Sequence, residues 1–290
     1  MDLLLQYLAN GIVNGSNYVL VAVGLTLVFG ILGVVNFAHG EFYMLGAYTG
    51  LILVINYGLP IWAALAGVLV VAVILGLGAE GLLNKMLKER DATSSIIASF
   101  GLAVVLQNSA LIGFGPSPML MQTKYSTIGV EMGPVYLPLQ QLLIPVAMVA
   151  LISVLYLVLR YTWTGRSLRA MAQHAVVARM CGVRVQRVAV ITFIVSALLA
   201  GIAGFLMSSV YMVYPIIGNM IVLKAFTVVI LGGMGNVAGA AAAGLLLGIV
   251  ESLTSAYLGN GLRDIVGFVI VIAVLLLRPQ GLFGRTFQRS

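Results

Sequence analysis

Val188 to Val210 reads VAVITFIVSALLAGIAGFLMSSV, without one charge, and follows directly on Arg184 and Arg187. About 20 mainly apolar residues coiled as an α-helix cross the ~30 Å hydrocarbon core of a bilayer. The stretch therefore reads as a transmembrane helix with a basic flank. Outward from it the signal recurs, giving spans at 5–33, 37–56, 60–83, 93–113, 139–160, 217–233, 236–257 and 262–277. Residues 1–290 are thus read as one all-α polytopic membrane domain of about 8–10 transmembrane helices. Composition agrees: 61% of the 290 residues are apolar and 8% charged, against about 25% charged in soluble domains. A soluble enzyme is excluded.

Asn10, Asn14, Ser16 and Asn17 inside the first span point to a helix packed against protein rather than lipid. The leading Met1-Asp2-Leu3-Leu4-Leu5-Gln6 carries an acid and no basic segment, so a cleaved signal peptide is not expected. With Cys181 as the single cysteine and His39 and His174 as the two histidines, neither a disulfide nor a metal-binding set is expected.

Lys and Arg in short loops stay cytoplasmic. Lys85, Lys88 and Arg90, then Arg160, Arg166, Arg169, Arg179, Arg184 and Arg187, then Arg278, Arg285 and Arg289 share one side if the spans alternate. Lys124 and Arg263 fall outside, and Lys224 lies in or near the bilayer. The C-terminus is then cytoplasmic. Nine crossings put the N-terminus outside; eight or ten put it inside. The net charge of +7 is explained by membrane flanks, and no nucleic-acid partner is expected.

Two connections stand out. Residues 114–138, with Pro116, Pro118, Pro134 and Pro138, form an extracytoplasmic loop that could meet an external partner. Residues 160–187 carry six arginines and no acid and form a cytoplasmic loop. Within it, Ala170, Met171, His174, Val177 and Ala178 follow amphipathic helical spacing from Ser167 to Cys181, and Gly182 suits a C-terminal cap. Such a helix could enter a groove on a cytosolic partner or lie on anionic lipid.

Ile31-Leu32-Gly33 and Gly40 fall on Ile230-Leu231-Gly232 and Gly239 without a gap, a weak internal repeat. Both copies place a Gly-rich break before a segment that restarts as helix, as repeats flanking a transport path do. Gly76-Leu77-Gly78-Ala79-Glu80-Gly81 matches the dinucleotide pattern but ends an apolar helix, so close helix packing is the better reading. The same holds for the G-x-x-x-G spacings at 11–15, 46–50, 235–239 and 244–248. The glycosylation sequon Asn14-Gly15-Ser16 lies too near a span to be used. No Gly-Lys dipeptide occurs, so no Walker A loop is present, and any ATP that drives transport is hydrolysed by another chain.

Ionisable residues inside spans cost ~2.5–3.5 kcal/mol each unless paired or hydrated. They are His39, Glu41, Lys224 and Glu251. Asn36-Phe37-Ala38-His39-Gly40-Glu41 reads as a helix start lining a path or gate, or as a polar cap at a buried turn with Glu41 favoured by the helix dipole. Lys224 either pairs with Glu41 or Glu251 or faces the path. No paired acids on one helix suggest a proton relay.

Four stretches, Gly24 to Ile31, Asn36 to Glu41, Gly165 to Gly182 and Lys224 to Gly235, resemble the LivH-type inner-membrane permeases of ABC importers for branched-chain amino acids. The likeness runs over nearly the whole chain. It implies a type II ABC importer-like permease without ATPase activity or cofactor of its own. Its partners would be a second, LivM-type permease, two cytosolic ATPases that bind ATP and Mg, an extracytoplasmic solute-binding protein and membrane lipid. The substrate path and gate are expected, from the residues themselves, at Asn36, Phe37, His39, Glu41, Lys224, Thr227, Gly232, Gly233, Gly235 and Asn236. ATPase docking would fall to Arg166, Arg169, Ala170, Met171, His174, Arg179 and Gly182. Family members often carry an acid after Ala-x-Ala in that helix, where Gln173-His174 stands here. Related permeases carry urea or short amides. The alternatives from other classes are an ion-coupled carrier and a passive channel.

Overall fold

The computed structural model describes residues 2–87, 92–123, 128–133 and 135–284. Lys88, Arg90, Lys124, Pro134, Arg285 and Arg289, named above, lie outside them. The elements are α1 (Asp2–Leu32), α2 (His39–Ile55), α3 (Ile61–Leu87), α4 (Ala92–Phe114), β1 (Gly129–Met132), β2 (Val135–Pro138), α5 (Leu139–Tyr161), α6 (Trp163–Gln173), α7 (Ala175–Met180), α8 (Val185–Met207), α9 (Ile217–Gly232), α10 (Val237–Tyr257) and α11 (Arg263–Leu277). Each expected span has its helix. Among the described residues, 7 helices are long and apolar enough to cross a membrane: α1, α3, α4, α5, α8, α10 and α11.

The other two, α2 and α9, have 17 and 16 residues, about 25 Å of helix. They correct the reading of 37–56 and 217–233 as plain crossings. Ile31 and Leu32 at the end of α1 pack on the Leu168, Met171, Ala178 and Val188 cluster of the arginine stretch, on what is here termed the basic face. At its start, Gln6 exchanges hydrogen bonds with the Tyr136 backbone of β2: its Nε2 donates to the carbonyl at 3.0 Å and its Oε1 accepts from the N–H at 2.9 Å. Thus α1 crosses the whole bundle. By contrast α2 starts beside Val21 and Gly24 of α1 and Ser196 of α8. That level is about 8–11 residues, or ~12–16 Å, short of the end of α1. The chain doubles back through residues 33–38 and begins α2 at mid-depth, running parallel to α8 toward the opposite face.

After α8, the chain re-enters through residues 208–216. Helix α9 starts where Gly218 meets Gly40 and runs to the basic face, where the Leu231 carbonyl accepts from Leu282 N–H at 2.8 Å. Helix α10 returns antiparallel to α1, and α11 descends again. The start of α1 and the arginine stretch therefore lie on opposite faces, as nine crossings require.

Helices α1 and α8 form the centre, with 83% and 72% of their apolar windows buried, whereas α11 has 11% and leaves an apolar exterior. Asn14, Ser16 and Asn17 are buried, as expected for a helix enclosed by protein. The approach of α1 to α10 depends on G-x-x-x-G: a Cβ on Gly11 would lie 2.8 Å from Ile249 Cα, and one on Gly15 2.9 Å from Leu245 Cα. Gly76 packs on Ile194 in the same manner while α3 stays helical through Gly81, which removes the dinucleotide reading.

Two local features depart from expectation. The 114–138 connection holds an antiparallel hairpin, Gly129 opposite Pro138 and Met132 opposite Val135, with Leu137 buried beneath it. The single helix expected from Ser167 to Cys181 is two helices, α6 and α7. His174 between them is extended, at φ −158° and ψ 100°. Leu168 and Met171 of α6 and Ala178 of α7 join one apolar cluster with Val188.

Candidate functional site

The helix starts of α2 and α9 meet in the interior. Asn36 is fully buried and its Oδ1 accepts from Ala38 N–H at 3.1 Å, so it shapes the turn into α2. Phe37 donates its N–H to Ser99 Oγ on α4 at 3.2 Å and sets its ring 5.2 Å from that of Phe226 on α9. His39 is enclosed between three helices: its Nε2 lies 2.9 Å from the Val21 carbonyl and its Nδ1 3.2 Å from Ser196 Oγ. A carbonyl only accepts, so Nε2 carries the proton and Nδ1 accepts from the serine. His39 thus ties α2 to α1 and α8. Gly24 leaves it room, since a Cβ there would lie 2.9 Å from the ring.

Glu41 is 1% exposed, in the first turn of α2. Its Oε1 lies 2.8 Å from where a Gly218 Cβ would sit, so the carboxylate stands at the start of α9 as well, and its Oε2 has no hydrogen-bond partner. Two helix N-termini, each with partial positive charge, favour a carboxylate there.

Lys224 does not pair with Glu41. It is bonded to Glu251 on α10 and reaches Asp264 on α11 at 2.7 Å. Glu251 also accepts from Arg263 Nε at 3.2 Å and from Tyr18 OH at 2.8 Å, joining α1, α9, α10 and α11. Arg263, placed outside by the loop count, is part of this network. Its signal was the acid–base pair Arg263-Asp264 at the opening of a span. Thr227 is buried and bonds back to the Leu223 carbonyl of its own helix at 3.0 Å.

Gly232, Gly233, Gly235 and Asn236 form a packed turn on the basic face. Gly233 takes φ +91° and Gly235 rests against Gly30. Asn236 Oδ1 caps α10 by accepting from Gly239 N–H at 3.0 Å, and its Nδ2 donates to the Phe283 carbonyl at 2.9 Å. The second repeat-related break thus packs, through Gly235, on Gly30 in the last turn of α1, just ahead of the first break.

In the arginine stretch, Thr162 caps α6 by accepting from Gly165 N–H at 2.9 Å. Arg169 Nη1 donates to the Leu159 carbonyl at 2.6 Å and so closes the end of α5. Arg166 lies over the Trp163 ring at 3.9 Å. Met171 is buried and Ala170 half-buried, while His174, Val177, Arg179 and Met180 are exposed. Val183 N–H bonds Ala178 O and Gly182 N–H bonds Arg179 O, both at 3.0 Å, with Gly182 at φ +84°. This is a Schellman cap. The expected docking residues therefore divide: Arg169, Met171 and Gly182 hold the element together, whereas Arg166, His174 and Arg179 lie on its outer surface, where the structure also places Val177 and Met180.

Crossing helices, two broken segments starting at mid-depth and a cross-linked interior define a polytopic helical membrane protein of transporter type. The chain belongs to the branched-chain amino acid transport system/permease component family, whose model matches residues 7–275. It is 34% identical to the high-affinity branched-chain amino acid transport system permease protein LivH of Escherichia coli K12, over 97% of this chain and 96% of that one. It is 33% identical, with the same coverage, to the permease protein BraD of Pseudomonas aeruginosa PAO1. The LivM permease of Escherichia coli K12 is 26% identical, over 93% of this chain and 68% of that protein. No solved structure matches.

Proposed function

We propose that this chain is one of two permease subunits in an ATP-driven importer of branched-chain or other hydrophobic amino acids. The observation that carries the reading is the meeting of α2 and α9 at Gly40 and Gly218, inside a chain whose family match spans nearly its full length. Broken helices that end at mid-depth build substrate sites in transporters. Phe37, Glu41 and Phe226 stand at that junction and are the residues assigned to the path. Likeness to both LivH and LivM supports a second, similar permease as partner. The positive-inside rule makes the basic face cytoplasmic. There the exposed side of α6 and α7 docks on an ATPase subunit, which binds ATP and Mg, and the hairpin face receives a solute-binding protein.

The test is uptake of radiolabelled leucine into proteoliposomes holding the assembled subunits, with and without internal ATP and added binding protein. Uptake that requires both is the expected result. Uptake by this chain alone, indifferent to ATP, overturns the reading in favour of a carrier or channel. Urea uptake without leucine uptake overturns the substrate class.

A further inference from the structure

At the hairpin face, the ends of α1, α5, α10 and α11 and the segment after α8 enclose a cavity of about 240 Å³. Asn10, Asn14, Gln141, Tyr211 and Ser255 give its wall amides and hydroxyls, Val13 and Val210 give it an apolar part, and Arg263 brings the one formal charge among its lining residues. None of these residues belongs to the junction of α2 and α9.

Arg263 is held in place without being used up. Its Nε donates to Glu251 at 3.2 Å and its Nη2 to Tyr18 OH at 3.1 Å, and it also interacts with the Tyr211 hydroxyl. A guanidinium has five N–H donors, and the side chain keeps 25% exposure. Glu251 is shared with Lys224, which also pairs with Asp264, so the cluster balances two cations against two carboxylates and what Arg263 offers a ligand is its remaining N–H donors. Asn14 Oδ1 accepts from Tyr211 OH at 3.0 Å, which leaves the Asn14 amide NH₂ as a further donor beside the guanidinium. A fixed fork of donors with neutral donors around it matches a carboxylate, which takes two parallel bonds from Arg. The guanidinium and the amides engage the carboxylate, the part that all α-amino acids share, while Val13 and Val210 leave apolar surface for an aliphatic side chain.

We infer that this cavity is an entry station that holds the carboxylate of an α-amino acid on Arg263 before it reaches the mid-depth junction. The inference rests on the amino-acid transport reading for its cargo, and it adds the group recognised and the residue that recognises it.

The experiment labels a Ser255→Cys variant, in a Cys181→Ser background, with a membrane-impermeant maleimide in the assembled complex, without nucleotide. Three probes are compared across a concentration series: leucine, isocaproate, which keeps the carboxylate and lacks the amine, and isoamylamine, which keeps the amine and lacks the carboxylate. Leucine and isocaproate slow labelling about tenfold at saturation, and isoamylamine does not. Arg263→Gln removes the protection. Because Arg263 also holds Glu251, Asn14→Asp is the second variant: it adds a carboxylate beside the guanidinium and also removes the protection. Equal labelling with and without leucine, protection by isoamylamine to the same degree, or protection that survives either variant overturns the inference. Protection together with ATP-independent uptake sinks the importer reading and leaves the cavity standing. ATP-dependent uptake without protection does the reverse.

Discussion

Gly40 and Gly218 meet backbone to backbone: a Cβ built on Gly218 would lie 2.7 Å from the Gly40 carbonyl oxygen. The start of α2 and the start of α9 can approach this closely only because neither residue has a side chain there. Gly218→Ala should force the helices apart or displace Glu41, costing about 1–3 kcal/mol. On α3, Gly78 has nothing within 4 Å of its position for a Cβ, and Gly78→Ala should be neutral or stabilise by up to ~1 kcal/mol through helix propensity. Thermal unfolding of the two purified variants in detergent checks the contrast; equal Tm values would refute it.

Lys224 and Glu251 are 8% and 0% exposed. Lys224→Met leaves the Glu251 carboxylate with one cation instead of two, and breaking a buried pair costs about 3–5 kcal/mol. Removing both charges, as Lys224→Met with Glu251→Gln, should cost less than the sum of the single changes, with a coupling of about 0.5–3 kcal/mol. A double-mutant cycle on thermal stability reads this directly, and strict additivity would show that the contact carries no interaction energy.

Asn236 does two jobs, capping α10 and holding Phe283. Asn236→Ala should lower stability by about 0.5–2 kcal/mol. Asn236→Asp keeps the cap acceptor and loses the donor to Phe283, so it should fall between alanine and wild type. Tm values of the three proteins in one buffer would test the order.

The division of the arginine stretch predicts two different phenotypes. Met180 is 83% exposed, so Met180→Asp should leave Tm unchanged while abolishing ATP-dependent uptake. Met171 is 4% exposed, and Met171→Ala should destabilise by about 2–5 kcal/mol. Normal uptake by the Met180 variant would move the docking surface elsewhere.

The long apolar runs made the crossings legible, because burial in lipid leaves little choice of residue. Charge at the depth of Lys224 called for a partner, but the sequence left Glu41 and Glu251 both open, and only the packing of α9 on α10 selects Glu251. What the sequence hid was depth. Asn36 to Glu41 looks the same as a cap at the membrane edge or at its middle, and only the contacts of His39 with Val21 and Ser196 decide. Arg263 read only as a charge on the outer side, yet with Asp264 it turns inward to Glu251 on α10 and Lys224 on α9. The break at His174 had no glycine or proline to announce it.

The mid-depth placement of two helix starts also bears on leakage. Each N-terminus carries roughly half a positive elementary charge, and Glu41 beside both supplies one negative charge when ionised. The sum is close to zero at the point where a permeating ion would be farthest from water. If the proposed path runs here, the helix ends and an ionised Glu41 together offer neither a stray cation nor an anion a net charge to hold it.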